Sequence, residues 1–431
     1  MPTKETPAEI EAVFDRLWPI LRSITGAGVR RTHDILGELL PLTRIEVPTG
    51  TEVLDWVVPQ EWAVREAYVV DPTGRRILDV ADNNLHLLNY SIPFHGTVDR
   101  AELDRHLHSL PDQPDAIPYV TSYYQPRWGF CLSHHQRQSL PEGDYRVVID
   151  SRLFDGSMTL SEAVLPGETS DEVLISTYTC HPSMANNELS GPLACAFLYR
   201  RLAQLPRRRL TYRFVFLPET IGAITYLHLH GEHLKRHTVA GYVVTCVGDG
   251  GAFTLKRSER GDSLADRAAV HCLKTLSPDA HTVQDWFPTG SDERQYCSPG
   301  FRLPVATLTR SQFGHYPQYH TSLDNKDMMS FDGMVGTVDM LLAFCRALDS
   351  NRVWRSTKPF GEPFLSRYQL VPTLSDPRAF TNQEMLALRW ILSQADGSRD
   401  LLAVAERSNL ECTLLADQAE VLERVGLLAR N

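Results

Sequence analysis

"STYTCHPSMANNELSGPLACAFLYRRL", residues 176–202, runs from an apolar strand through Cys-His-Pro and a small polar loop straight into an apolar helix. Its strand side, "DEVLISTYTC" (171–180), is almost continuously apolar, as expected where helices cover both faces of a sheet. Downstream the pattern repeats. "TYRFVFLP" (211–218) reads as a strand, "GAITYLHLHGEHLKRH" (222–237) as a helix and "VAGYVVTCVG" (239–248) as a strand. Strands alternating with helices predict an α/β fold with a mostly parallel sheet.

The texture changes on either side of this block. Ile10, Phe14, Leu17 and Leu21 recur at helical steps, and "SITGAG" (23–28) ends the first of two N-terminal amphipathic helices. From 43 to 166, short alternating runs such as "RIEVPTGTEV" and "GDYRVVIDS" sit between turn residues, which predicts a β-rich inserted domain. The tail has three amphipathic segments, "NQEMLALRWILSQA", "RDLLAVAERSNL" and "LLADQAEVLERVGLL", and reads as a winged helix. The expected domains are therefore 1–42 with 167–370, an insertion at 43–166, and a winged-helix-like domain at 380–431.

Composition narrows the function. The 431 residues, 42% hydrophobic and 22% charged, describe an ordinary globular chain too long for one core. No apolar run approaches the roughly 20 residues a membrane span needs, and the N-terminus lacks a signal-peptide core, so a cytoplasmic protein without membrane contact is expected. A net charge of −10 opposes a nucleic-acid-binding surface. In the tail, eight acids face five arginines and no lysine, so docking on its own chain or in a homo-oligomer is expected instead. The eight cysteines include no CxxC pair, which excludes a zinc ribbon.

Functional groups in such sheets gather beyond the carboxyl ends of the strands. His181 follows one strand, and Asn187 and Glu188 open the next helix. Glu219 and Asp249 follow later strands, and His320 arrives in "YPQYHTSLDN" (316–325). Imidazoles and carboxylates together suit Zn²⁺, making His181, Glu188, Asp249 and His320 candidate ligands and Glu219 the candidate general base. Arg294, Arg310, Tyr316 and Tyr319 are candidate substrate contacts. Of two further histidine groups, His134–His135 falls in the insertion, and His228, His230 and His233 on a helix read as a solvated face.

The order His, "NELSG", Glu after "FVF", Asp after a strand and "HTSLD" resembles the zinc aminopeptidase and glutaminyl cyclase superfamily. "RSITGAGVR", "VPTGTEVLDW", "CHPSMANNELSG" and "YHTSLDN" more closely resemble a bacterial group of aminopeptidase-like proteins with a β-rich insertion and a C-terminal winged helix. The resemblance implies a zinc-aminopeptidase-like domain and hydrolysis of a peptide or small amide. Two departures bear on the metal. Asn187 stands where those enzymes carry a bridging Asp, and Thr220 follows Glu219 where they carry a second Glu. One zinc rather than two is therefore expected, held by His181, His320 and a carboxylate from Glu188 or Asp249. The competing expectation is a non-catalytic ligand sensor on a degenerate peptidase fold.

Overall fold

The computed structural model describes residues 3–370 and 382–430. Residues 1, 2, 380, 381 and 431 of the expected domains lie outside the described residues. Eight strands form the main sheet: β1 (Thr43–Pro48), β2 (Ser157–Leu165), β3 (Glu172–Tyr178), β4 (Thr211–Leu217), β5 (Thr238–Val244), β6 (Phe253–Lys256), β7 (His281–Gln284) and β8 (Val305–Thr309). Their order is β1-β2-β4-β3-β5-β8-β6-β7. The centre, β4-β3-β5-β8, is parallel, while β1, β2 and the β8–β6 pairing are antiparallel. The sheet is therefore mixed, with the parallel core where the helices and strands alternate in sequence.

Both faces of the sheet are covered, which explains the continuous apolar strands. Val173 and Ile175 of β3 join a core with helices α1 (Pro7–Leu17), α2 (Ala27–Leu36) and α3 (Ser190–Ala203). Leu174, pointing the other way, joins a second core with α4 (Ile221–His237) and the insertion. Close packing fixes α3 on the sheet at Gly191, where an added Cβ would lie 2.4 Å from Thr177 Oγ1 and from the Val244 carbonyl. No helix among the described residues is long and apolar enough to cross a membrane.

Two boundaries differ from those read in the sequence. β1 and β2 belong to the main sheet, so the separate body of the insertion lies between them, built on a four-stranded antiparallel sheet around Glu61–Val70 and Asp144–Phe154. Val353–Ser356 pairs with Asp396–Asp400 and Leu428–Arg430, so the tail domain begins before its first helix.

The tail packs on its own chain. Leu388, Ile391, Leu402, Leu415 and Leu422 share one core with Leu341 and Leu348 of helix α6 (Phe331–Ser350), which follows α5 (Leu264–Leu276). Arg267 on α5 pairs with Asp400 and Glu406 at 3.1 and 2.8 Å. Each large apolar side chain so buried contributes about 1.5–3 kcal/mol. Removing residues 352–430 is thus expected to cause aggregation, seen as early-eluting material in size-exclusion chromatography. The exposed acids Asp417 and Glu420 and the half-buried Glu423 on Cys412–Arg424 should leave the intact chain without a gel shift of DNA at low salt. Unchanged elution on truncation would show that the shared core contributes little.

Candidate active site

The loop after β3 and the loop carrying His320 are tied together by one carboxylate. α3 is preceded by a wide π-helical turn, Ala185–Leu189. Its leading N–H groups would be unsatisfied without a partner. Asp324 supplies it, accepting Asn186 N at 2.7 Å and Asn187 N at 2.9 Å, while its carbonyl accepts Ala185 N. Burial raises the Asp324 carboxyl to about 6 despite those donors. The insertion completes the joint, for Tyr119 N donates to the His320 carbonyl at 2.8 Å and Ile117 exchanges hydrogen bonds with Ser322. His320 itself sits at φ 55, a left-handed conformation that these contacts hold in place.

His181 is oriented from below. Its Nδ1 lies 3.0 Å from Glu188 Oε2 and 3.3 Å from Cys180 Sγ, so its Nε2 faces the cavity. Arg22, fully buried, donates Nε to the His181 carbonyl at 2.9 Å and stands 3.7 Å from Glu188 Oε1. Burial opposes a charge on His181, but Cys180 and Glu188 overcome it and hold its pKa well above the ordinary imidazole value. Burial, reinforced by the neighbouring His181, takes His320 down to about 3.

Glu219 is aimed by a second clamp. Ser291 Oγ donates to its Oε1 at 2.7 Å, leaving Oε2 3.7 Å from His181 Nε2. The next residue, Thr220, has φ 65, and its N–H donates to the buried Asp292 Oδ1 at 2.7 Å. Arg294 donates to Thr220 Oγ1 and to the Ser291 carbonyl, so it braces this turn and does not line the cavity.

His181, Glu219 and His320 line one cavity of about 500 Å³, walled by Trp56, Tyr119, Tyr123 and Tyr124 of the insertion. Several expected site residues lie elsewhere or play other parts. Glu188 is turned away beneath His181, between its Nδ1 and Arg22. Asp249 accepts from Asn186 Nδ2, Gly251 N and Ser311 N, and makes no hydrogen bond with the other candidate ligands. Arg310 is spent on the Gly251 and Gly333 carbonyls and on Thr337, over the Phe253 ring. Tyr316 is buried against Asp324 and Cys246, and Tyr319 stacks on His320 at 3.9 Å. The aromatic wall, Arg22, Cys180 and the Ser291–Asp292 clamp had no local signal beyond residue type.

Among the described residues, Cys180, His181 and Glu188 bring three donor atoms within 4.8 Å. That trio does not suit a cation, because the Arg22 guanidinium already balances Glu188, and Cys180 Sγ accepts Glu219 N while burial raises its thiol to about 11. The two imidazoles do. Their ring centres are 5.3 Å apart, and two imidazoles sharing one zinc at about 2.0–2.1 Å per bond have centres roughly 5 Å apart. His320 Nε2 is buried without a hydrogen-bond partner, and the carboxylate behind His181 Nδ1 is the usual support of a metal-bound histidine. Asn187 Oδ1 is buried without a hydrogen-bond partner, but a neutral amide oxygen beside Thr220, which offers no carboxylate, supplies no anionic ligand for a second ion. The two imidazoles have the ring spacing of a shared ion, and Asn187 with Thr220 offers no carboxylate to a second.

The family whose sequence model is described as a domain of unknown function, DUF4910, matches residues 11–351, and a winged helix-turn-helix model matches residues 352–430. The chain belongs to the DUF4910 family. A Clostridium acetobutylicum relative named for polysaccharide biosynthesis and an aminopeptidase-like domain is 41% identical over 99% of this chain and 97% of its own length. A crystal structure from that organism, of a protein assigned as a peptidase, matches with a TM-score of 0.92 at 40% identity over 99% of this chain and 96% of that one. The zinc aminopeptidase of Bacillus subtilis shares the fold at a TM-score of 0.59 and 12% identity, over 79% of this chain and 94% of that one. This DUF4910 chain therefore has a zinc-aminopeptidase-like α/β fold with a C-terminal winged helix.

Proposed function

We propose that the chain is a hydrolase of a peptide or small amide, using one zinc ion held by His181 and His320 with Glu219 as general base. The observation that carries the reading is the convergence of those three side chains on the floor of one aromatic-walled cavity. A zinc ion there would polarise the amide carbonyl and acidify water. Glu219 Oε2 takes the proton of the attacking water and returns it to the departing amine, while Ser291 holds Oε1. Glu188 and Arg22 keep His181 Nε2 pointed into the cavity. The fold shared with a zinc aminopeptidase supports the same class of reaction.

Two imidazole ligands without a directly bound carboxylate make a weak site, so the ion should be removed by a chelator. Protein dialysed with zinc is expected to hold about one ion per chain. His181→Ala and His320→Ala should each weaken binding by at least about 10–100-fold, the cost of losing even an outer-shell partner of a metal ligand. Elemental analysis together with hydrolysis of an amide panel tests this. Full zinc content in both variants would overturn the ligand assignment, and two tightly held ions would overturn the single-ion site.

A further inference from the structure

The mouth of the cavity is built unlike its floor. Trp56 and Tyr124 meet edge to face, with ring centres 5.7 Å apart, yet they are 38% and 49% exposed. Large rings are normally buried, so two held open at a cavity rim present apolar faces to a ligand. Their positions are imposed rather than incidental. Tyr124 has φ 63 and Leu54, at the tip of the hairpin that carries Trp56, has φ 53. Left-handed non-glycine residues of this kind cluster at ligand sites. The Leu54 N–H, 3.4 Å from His228 Nδ1, rests the hairpin on helix α4.

The charges of the cavity narrow what the rings receive. Among the described residues lining it, Glu219 is the one carboxylate, and there is no lysine or arginine. A free peptide α-amine would find no acid besides the catalytic one, and an α-carboxylate or a phosphate would find no arginine or lysine and no positive charge beyond the His181–His320 centre, which the hydrolase reading assigns to the amide carbonyl. What remains is an uncharged ligand with one apolar face, several hydroxyls and an amide. The hydroxyl-bearing residues Tyr119, Thr121 and Tyr123 line the same cavity, with Tyr119 OH and Tyr123 OH 2.9 Å apart. We propose that the amide substrate is an N-acylated amino sugar, whose pyranose ring sits in the corner formed by Trp56 and Tyr124, one apolar face against one of the rings, while its acylamino group reaches Glu219. The C–H bonds of such a face carry slight positive charge and meet the electron-rich ring faces. Hydrolysis would break the C–N bond of the acylamino group, with water giving its hydroxyl to the acyl carbon and its proton to the amine. The products are a carboxylic acid and a free amino sugar.

This assignment rests on the hydrolase reading, so binding and turnover are measured separately. N-acetylglucosamine, glucosamine and leucinamide are titrated by isothermal calorimetry into the Glu219→Gln protein, alone and combined with Trp56→Ala or Tyr124→Ala, and the wild type is assayed for release of acetate. N-acetylglucosamine is expected to bind, glucosamine and leucinamide to bind at least about tenfold more weakly, and Trp56→Ala and Tyr124→Ala each to cost about tenfold in affinity. Circular dichroism confirms that the rim variants fold. Binding of the sugar without acetate release by wild type would sustain the sugar site and remove the hydrolase reading. Tighter binding of leucinamide, no sugar binding, or sugar binding indifferent to both rim substitutions would overturn the sugar assignment whatever is hydrolysed.

Discussion

Glu219→Gln is expected to lower amide hydrolysis by about 10²–10⁴-fold while zinc content stays within a few-fold of wild type. Glutamine preserves the shape of the side chain and can still accept from Ser291 Oγ, now at 2.7 Å from Oε1. It has no basic oxygen to take a proton, so loss of rate without loss of structure isolates that one function. Oε2 lies 3.7 Å from His181 Nε2, so the proposed base would stand beside the imidazole proposed to hold the ion. Parallel metal analysis and kinetics decide the outcome. A variant that loses its zinc together with its activity would make Glu219 a ligand, and one that retains full activity would place the base elsewhere.

Glu188→Ala should cost about 3–5 kcal/mol of stability, because it leaves the buried Arg22 charge with no counter-charge. Both side chains are completely inaccessible, at 0% exposure. The carbonyls of His181 and Leu17 satisfy two of the Arg22 donors but offset little of its charge. Burial already lowers the Arg22 pKa, with Glu188 the largest influence opposing that shift. Removing Glu188 also frees His181 Nδ1. Urea denaturation measures the first effect and metal titration the second. Glu188→Gln, which can still accept from His181 Nδ1, should lose stability but keep more of the metal affinity than the alanine variant. A loss below about 1 kcal/mol for Glu188→Ala would mean that water or a shifted Arg22 relieves the charge.

The strand and helix around residues 176–202 were legible because every turn of the pattern agrees with burial on both faces. β2 was not. "SMTLSEAVL" (157–165) alternates like the strands of the insertion, and a local period cannot say which sheet a strand will join. His181 and Glu219 could be placed at strand ends and His320 in a later loop, and all three line the same cavity. Asp249 had the same credentials, but it lies five residues beyond the end of β5, past Cys246 at φ 49, and the chain has turned by then toward Asn186 and Ser311. Arginines were the least legible. Arg310 and Arg294 look like ligand-binding groups in sequence, whereas the structure spends them on backbone carbonyls and on a strained turn. Trp56 and Tyr124 reach the cavity through docking of the insertion, an event with no signature in either segment.

The hydrogen bonds that join residues 117 and 119 to residues 320 and 322 bear on how separable the insertion is. A domain spliced into another can often be excised by closing the host chain across the two crossing strands. Here that surgery would take away the backbone partner of His320 together with the rings at the cavity mouth. The host would keep its sheet and lose its chemistry. Any lineage that trimmed this insertion would have to rebuild the histidine loop at the same time, which makes the two segments a single unit of inheritance despite the 200 residues of chain, roughly, that lie between them.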